Sequence, residues 1–290
     1  MDPRPALERA LGEPIIELEL IAQSSNLVYR VATRSGKLYS LRVPHLERLS
    51  AFWCQLRDIF GHGYASKFDH AGEVGASIRA AGLDAPSLVT TVDLGSTTGY
   101  LFTWIDGESW EPDPFPDRDD VHEQLGRFLG AMHGRSFDGF GPRGELIPKE
   151  RYVATANASM SAIIEEHWRH TPAINRFFED EIAPCLPDAV ARDFALIMPD
   201  ISGNQFVYGE DGIAGVVDID SYVIGPRELE LTIAEWCITR PEAFRRGYEE
   251  HAQLPRFADF RRYHRFMMLV NDPNEDVNLE HALTISVHFT

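Results

Sequence analysis

The first part of the chain carries the pattern of hydrophobic and polar positions that β-strands produce. Residues 14–21 alternate apolar and acidic side chains, as expected for a strand with one exposed face. Residues 27–33 and 38–43 are two further apolar runs, each preceded by a short polar turn. The pattern predicts an antiparallel meander of three strands, with a short helix over residues 5–11 before it.

Helical and strand patterns alternate beyond the third strand. Helical spacing is found over residues 45–60 and 68–81, and apolar runs typical of strands cover residues 87–92 and 99–104. The order of these elements indicates one small α+β lobe over residues 1–105.

A Pro-rich segment, residues 109–118, leads into a mainly helical remainder. Apolar residues recur at helical spacing over residues 119–133, and further helices are predicted within residues 151–195. The last predicted helices cover residues 227–238, 244–252, 257–269 and 278–287. The expected fold class is α+β with two lobes, a small antiparallel sheet lobe followed by a mainly helical lobe over residues 106–290.

Residues 194–230 combine a strand, a polar loop and a hairpin. An apolar run ends at Met198, and the loop after it contains Asp200. Two short apolar runs then flank a Gly-Glu-Asp-Gly turn, which predicts a hairpin that begins at Gln205 and ends at Asp218. Because the hairpin folds back, Asp218 is expected beside Gln205, and the loop brings Asp200 to the same place. Oxygen ligands of this kind suit Mg²⁺.

A simpler interpretation of the same residues stays open. Asp, Ser, Gly and Asn in a loop most often form only a turn, and an Asp that ends a strand often only caps a helix. Asp220 is either a second metal ligand or the cap of the helix that follows, and the structural role is favoured.

Composition restricts the partners. The net charge of −18 argues against a surface for nucleic acid or for an anionic membrane. It is compatible with a cationic substrate, although solubility explains it equally well. There is no apolar run of membrane-spanning length and no signal-peptide pattern. Cys54, Cys185 and Cys237 lack metal or redox spacing, which indicates buried thiols in a reducing cytoplasm.

The common phosphate-binding fingerprints, a Walker loop and GxGxxG after a strand, are absent from the sequence. The first turn, over residues 22–26, is small and polar, so its N–H groups are able to approach phosphate oxygens, but a plain hairpin also explains it. Arg42, in the third strand, either faces water at a sheet edge or pairs with an anion.

Several short motifs occur in a fixed order. They are Ser24-Ser25-Asn26 before a strand, Tyr39-Ser40-Leu41-Arg42, Glu73 ahead of Gly82 and Pro86, a hinge pattern over residues 101–107, a helix over residues 125–133, Asp200 with Gln205, Asp218, and a tail over residues 225–231. Together they resemble the aminoglycoside phosphotransferase and choline kinase-like superfamily, which shares the protein-kinase fold. Each motif is weak alone, but the resemblance spans most of the chain.

The resemblance implies transfer of the γ-phosphate of ATP or GTP to a hydroxyl group of a small molecule. Asp200 would orient the hydroxyl group and accept its proton. Asp218 and Gln205 would hold Mg²⁺, and Asn204 is the alternative amide ligand if the loop is one residue tighter.

The resemblance also implies a nucleotide site. Arg42 would bind the α- and β-phosphates and pair with Glu73, the first turn would cover the phosphates, and the hinge would meet the base. The implied residues are Ser24, Ser25, Asn26, Arg42, Glu73, Phe102 and Trp104.

Four positions depart from the family pattern: Met198 replaces His, Pro199 replaces Gly, Gln205 replaces Asn and Arg42 replaces Lys. An Arg still binds phosphate as a bidentate fork. The departures keep open a catalytically degenerate module that binds a nucleotide or a protein, and a nucleotidyl transferase. Both Asp200 and Asp218 persist, which favours the kinase.

Acids on the predicted helices are candidate contacts for a cationic substrate such as an aminoglycoside or an amino alcohol. They are Glu165, Glu166, Asp180, Glu181, Asp272 and Glu275. Solvated helix faces are the favoured explanation of this set. The expected partner is a small molecule, with no nucleic acid and no membrane.

Overall fold

A five-stranded antiparallel sheet forms the N-terminal part of the computed structural model, which describes residues 2–45, 49–184, 193–257, 260–272 and 279–289. The elements of this part are α1 (Arg4–Leu11), β1 (Ile15–Gln23), β2 (Asn26–Thr33), β3 (Leu38–Pro44), α2 (Ala51–Phe60), α3 (Ala71–Ala80), β4 (Leu88–Asp93) and β5 (Thr98–Thr103). The strand order is β1-β2-β3-β5-β4. The predicted meander is therefore confirmed and extended by two strands.

One face of this sheet packs with α1 to form a small core of its own. Leu7, Val31, Leu41 and Leu101 are fully buried there, and each such side chain contributes roughly 1.5–3 kcal/mol of burial free energy. The turn between β1 and β2 is shorter than predicted, because Asn26 already pairs with the last residue of β3.

The rest of the chain is mainly helical. Its elements are β6 (Glu108–Ser109), α4 (Asp119–His133), β7 (Gly139–Phe140), β8 (Ile147–Pro148), α5 (Tyr152–His167), α6 (Pro172–Phe177), a π-helical turn (Phe178–Ile182), β9 (Phe194–Ile197), β10 (Phe206–Gly209), β11 (Gly212–Val216), β12 (Val223–Pro226), α7 (Arg227–Cys237), α8 (Pro241–Tyr248), α9 (Arg261–Leu269) and α10 (Leu279–Thr284). The architecture is the predicted α+β class. The lobe boundary at residues 105 and 106 stays a prediction.

Two strand pairs bring the loops of residues 194–230 together. The predicted hairpin is formed by β10 and β11, with Gly212 at a φ of +111° in its turn. Strand β12, which the pattern did not predict, pairs antiparallel with β9 so that Val223 faces Ile197. The residues just after β9 and just before β12 therefore leave the same end of this pair.

Helix α2 precedes β4 in the chain but packs against the helical part. Its Phe60 ring lies 6.2 Å from the ring of Tyr152, and Gln55 Nε2 donates to the Met267 carbonyl at 3.1 Å. The helix was predicted from residue 45 and begins at Ala51, because the Ser50 hydroxyl caps it; residues 46–48 lie outside the described part. The chain between β3 and α3 thus crosses to the helical part and returns.

Helices α4 and α8 approach through glycine. A Cβ atom at Gly126 or at Gly247 would overlap the backbone of the facing helix. Their backbones therefore lie in direct contact, which places Tyr248 of α8 against His133 of α4.

Two further predictions concern the cysteines and membrane-spanning segments. Cys237 is buried as expected, Cys54 is only half-buried, and Cys185 lies outside the described residues. No helix in the described ranges has both the length and the apolar character needed to cross a membrane.

Candidate functional site

Asp200 lies in the loop after β9 and is half-buried. Its Oδ1 accepts a hydrogen bond of 2.6 Å from the hydroxyl of Ser221, just before β12. Burial, followed by the negative charge of Asp218, raises the pKa of Asp200 to about 7. A carboxylate with a pKa near neutrality is suited to general base catalysis.

A buried hydrogen-bond network supports this loop. Met198 N–H donates to Glu230 Oε1 at 2.6 Å, and Glu230 Oε2 lies 2.6 Å from His133 Nε2. The other ring nitrogen of His133 is 3.0 Å from the Tyr248 hydroxyl. The Met198 side chain is itself fully buried. The backbone that leads to Asp200 is thus fixed by α4, α7 and α8.

Sequence patterns gave no role to Glu230, although it lies in the tail motif over residues 225–231. The available signal was an acid between two leucines, Leu229 and Leu231, on a predicted helix, since such a position is often buried and a buried acid needs partners.

Asp218 lies at the end of the hairpin, beside Gln205. The Gln205 carbonyl accepts from Val217 N at 2.9 Å and from Asp218 N at 3.4 Å. Arg42 Nη1 binds Asp218 Oδ1 at 3.0 Å, and Nη2 donates to the Val217 carbonyl. The structure therefore brings Arg42, Gln205 and Asp218 together, and the Asp218 side chain keeps 29% exposure.

Asp220, two residues further, is buried and faces the N-terminal part. Its Oδ2 lies 2.9 Å from Lys67 Nζ and accepts from Asn26 Nδ2, also at 2.9 Å. Its backbone oxygen lies 2.6 Å from His62 Nε2. Asp220 does not cap α7, whose first turn follows Pro226, so the predicted cap is wrong.

The two acids differ in pKa because their neighbours differ. Burial, followed by Asp220, raises the pKa of Asp218 to about 6, against the opposing charge of Arg42. Burial also disfavours the charged form of Asp220, but Lys67 and then Arg42 hold its pKa below the ordinary value. A proton at this site therefore resides on Asp218 before it resides on Asp220.

The turn between β1 and β2 lies over these acids. Asn26 is buried and faces Asp220, whereas Ser24 is exposed and Ser25 is half-buried. The Ser25 carbonyl accepts from His45 N at 3.1 Å and from the Tyr64 hydroxyl. The segment that follows β3 therefore holds the turn in place.

Two expected site residues are engaged elsewhere. Glu73 forms an ion pair with Arg143 at 3.1 Å, and its side chain is 62% exposed, so the expected pair with Arg42 is not formed. The reason is that α3 begins at Ala71, which places Glu73 on the outer side of the first helical turn. Asn204 is exposed and donates to Asp113 at 3.0 Å, so the structure does not bring its amide to Asp218.

The expected base-binding residues have different environments. The Phe102 side chain is fully buried and packs 5.3 Å from the ring of Phe68, because its position on β5 faces the core. Its side chain is therefore unavailable to a base. Trp104 is half-buried with the Arg30 guanidinium 5.8 Å from its ring, and its contact with a base stays a prediction.

The acids proposed for a cationic substrate are exposed wherever the structure describes them. Glu181 pairs with Arg262 at 3.1 Å, and Glu166 lies 3.9 Å from His167. Glu165, Asp180 and Asp272 are exposed, and Glu275 lies outside the described residues. This arrangement agrees with the favoured explanation, solvated helix surfaces.

The donor set suits a nucleotide-bound Mg²⁺ better than a metal held by protein alone. Within the described ranges, no three His, Cys, Asp or Glu side chains are placed to hold a metal ion. Mg²⁺, however, usually takes one or two carboxylates, with phosphates and waters as its other ligands. Asp218 is partly exposed for that purpose. Arg42 Nε is buried without a hydrogen-bond partner in the described part, which leaves an N–H group for an anion.

Comparisons with known proteins identify solved structures of similar fold. A putative fructosamine-3-kinase from Thermobifida fusca matches with a TM-score of 0.62 and 18% identity, over 98% of this chain and 92% of that one. Macrolide 2'-phosphotransferase MphH from Brachybacterium faecium matches with a TM-score of 0.57 and 14% identity, over 96% and 90%. The GDP and kanamycin complex of APH(2'')-IIIa matches with a TM-score of 0.61 and 10% identity, over 92% and 88%.

These structural similarities show a shared fold. A search of curated protein sequences finds no match to the chain. The model of the phosphotransferase enzyme family (APH) matches residues 17–266, which is most of the chain. The chain therefore belongs to the phosphotransferase enzyme family, which confirms the predicted resemblance, fold class and class of enzyme.

Proposed function

We propose that the protein is a small-molecule kinase that transfers the γ-phosphate of ATP or GTP to a hydroxyl group. The observation that carries the proposal is the half-buried Asp200, with a pKa raised to about 7, in a loop whose backbone is anchored to Glu230. A degenerate nucleotide-binding module has no use for a carboxylate held near neutrality.

Each step of the transfer has a residue for it. The acceptor oxygen forms a bond to the γ-phosphorus while the bond from that phosphorus to the β–γ bridging oxygen breaks. Asp200 accepts the hydroxyl proton, and ADP or GDP leaves. Mg²⁺, when bound, neutralises phosphate charge, and Asp218 with the Gln205 amide are its proposed ligands. Arg42 exchanges Asp218 for the α- and β-phosphates and binds them through its fork.

The proposed acceptor class is a small alcohol with an amine, such as an aminoglycoside, an amino sugar or an amino alcohol. The net charge of −18 favours encounter with cations. Structures of similar fold include a putative fructosamine-3-kinase and a kanamycin complex, which defines the first compounds to assay.

Thermal unfolding with ATP or GTP, in the presence and absence of Mg²⁺, tests the nucleotide site. A ligand that binds only the folded state raises the melting temperature, and we expect a rise that requires Mg²⁺. A panel of aminoglycosides, macrolides, amino alcohols and sugars then identifies the acceptor by release of ADP or GDP. Absence of a shift with both nucleotides would contradict the kinase assignment and favour the degenerate module.

A further inference from the structure

We propose that Lys67 is a positioning residue of the nucleotide site: it binds Asp220, withholds that acid from the metal, and leaves Asp218 as the metal-binding acid. The inference rests on the proposed function, because it assigns the metal to a nucleotide. Lys67 belongs to none of the sequence motifs that were assigned to the nucleotide site.

Lys67 reaches the site from the segment between α2 and α3. Its side chain is 1% exposed. The ammonium lies over the rings of Tyr64, Trp53 and Phe68, at 4.1, 5.0 and 5.3 Å from their centroids. Three ring faces that attract a cation leave Lys67 little freedom to turn elsewhere. The charge is thus fixed beside Asp220.

Asp220 is held by the N-terminal part of the chain through one carboxylate oxygen. One carboxylate oxygen receives both the Lys67 ammonium and the Asn26 amide, and its side chain is only 4% exposed. A metal ion would have to displace a buried cation to reach this oxygen. Burial of an ion pair makes such a separation costly, since the released charge is left without a partner.

Asp218 differs from Asp220 in its exposure and in the role of its cation. Its side chain is 29% exposed, and its cation is Arg42, whose own proposed task is to bind phosphate. When phosphate takes Arg42, Asp218 is released for a metal, while Asp220 keeps Lys67. Of the two acids in the Asp-Ile-Asp segment, Asp218 is therefore the proposed metal ligand, and Asp220 stays paired with Lys67.

The contacts of Asp220 with Lys67 and Asn26 also set the position of the turn that is proposed to cover the phosphates. Asn26 is the first residue after that turn, and its amide binds the oxygen that Lys67 binds. Lys67 thus acts on the nucleotide site through Asp220 and Asn26.

Binding of Mn²⁺, as a spectroscopic substitute for Mg²⁺, tests the assignment in the intact protein without turnover. Lys67→Met removes the cation beside Asp220 and leaves two acids free to chelate, so we expect Mn²⁺ to bind roughly tenfold more tightly than in the wild type. The same variant should bind ATP or GTP more weakly when no metal is present, since one positive charge is lost. A residue that only stabilises the fold would not raise metal affinity.

Three further variants complete the experiment. Lys67→Arg keeps the charge and should retain wild-type Mn²⁺ affinity, and Lys67→Met combined with Asp220→Asn should return to it. Asp220→Asn alone should leave the Mn²⁺ affinity within about twofold, whereas Asp218→Asn should lose it. Exposed Lys37, replaced by Met, is the matched control.

Two outcomes would overturn the assignment. One is a folded Lys67→Met protein whose Mn²⁺ affinity is unchanged or weaker. The other, which needs no Lys67 variant to fold, is loss of Mn²⁺ binding in Asp220→Asn, because Asp220 would then itself be a ligand. Wild-type protein that binds neither Mn²⁺ nor nucleotide would overturn the proposed function as well, which separates the two failures.

Discussion

The two sides of the site are held by different kinds of contact. The loop before Asp200 is anchored from within its own part of the chain by buried hydrogen bonds to Glu230 and, through it, to His133. The nucleotide side is held across the molecule by ion pairs, Arg42 with Asp218 and Lys67 with Asp220. The first side is formed once, during folding, whereas on the second side the Arg42–Asp218 pair is proposed to exchange partners when a ligand binds.

On the Asp200 side the position of a side chain is fixed before a ligand binds, whereas on the other side ionic partners are exchanged on binding. A base acts best when its position is fixed before the substrate binds, since orientation lowers the barrier. Phosphates and a metal ion, in contrast, bring charge of their own and replace protein partners of the same sign. Variants on the two sides should accordingly differ in kind as well as in size.

The largest expected effect is on Asp200. Asp200→Asn removes the base and should lower the turnover number by roughly 10²–10⁴-fold, while the nucleotide-dependent rise in melting temperature remains. Steady-state kinetics with the identified acceptor, together with thermal unfolding, measure both properties. Asp211→Asn, in the exposed hairpin turn, is the control and should be active. Turnover that survives in Asp200→Asn would remove the proposed base.

The next effect concerns the support of the same loop. Glu230→Gln replaces an acceptor of His133 by an amide N–H, so we expect a loss of about 3 kcal/mol of unfolding free energy. Activity should fall with it, because the single carbonyl oxygen of Gln can accept from Met198 N–H or from His133 but not from both, which weakens the support of the loop. Urea unfolding measures the loss against Glu249→Gln on the surface. Equal stability of the two variants would show that the loop is held by other contacts.

A smaller effect, dependent on pH, lies in the core behind this loop. His264 is fully buried beside Tyr152, and neither ring nitrogen has a hydrogen-bond partner in the described part of the chain. Burial lowers its pKa to about 3. The unfolded chain binds a proton near pH 6.5, so the unfolding free energy falls as the pH drops from about 6.5 towards 3. Between pH 7 and pH 5 this histidine should account for a loss of about 2 kcal/mol.

His264→Phe tests that sign. Unfolding by urea at pH 7 and at pH 5 should show a smaller acid loss in the variant than in the wild type. The raised pKa values of Asp200 and Asp218 act in the opposite direction, so the difference between the two proteins is the quantity to compare. Identical pH dependence would contradict a neutral, unpartnered His264.

Local signals predicted much of the fold and one half of the site. Alternation gave the meander, and turn residues gave the β10–β11 hairpin, which by itself sets Asp218 beside Gln205. Strand β12 was missed because four residues ending in Gly-Pro carry little strand signal. Its pairing with β9, however, is what brings Ser221 to Asp200.

The other half depends on contacts between distant parts of the chain. Nothing near Lys67 indicates that its ammonium reaches Asp220, since that contact requires α2 to cross to the helical part and return. The predicted Arg42–Glu73 pair is not formed for a similar reason, because the residue at which α3 begins sets the direction of the Glu73 side chain. Spacing along the chain fixes such pairs only when both residues lie on one continuous element.

The smallest effect is expected for substitution of Glu73, which tests how far the exchange of partners on the nucleotide side extends. Its pair with Arg143 is largely exposed, so Glu73→Gln should change the unfolding free energy by less than about 1 kcal/mol and leave nucleotide affinity unaltered. Arg143→Gln is the companion variant, which removes the same ion pair and also the hydrogen bonds from Arg143 to the Glu73 carbonyl and the Ser77 hydroxyl, and it should leave nucleotide affinity unaltered as well. A Glu73→Gln protein that binds nucleotide more weakly, while Arg143→Gln does not, would show that Glu73 leaves Arg143 for Arg42 once Asp218 has taken the metal. The exchange of partners on the nucleotide side would then extend from the acids to α3.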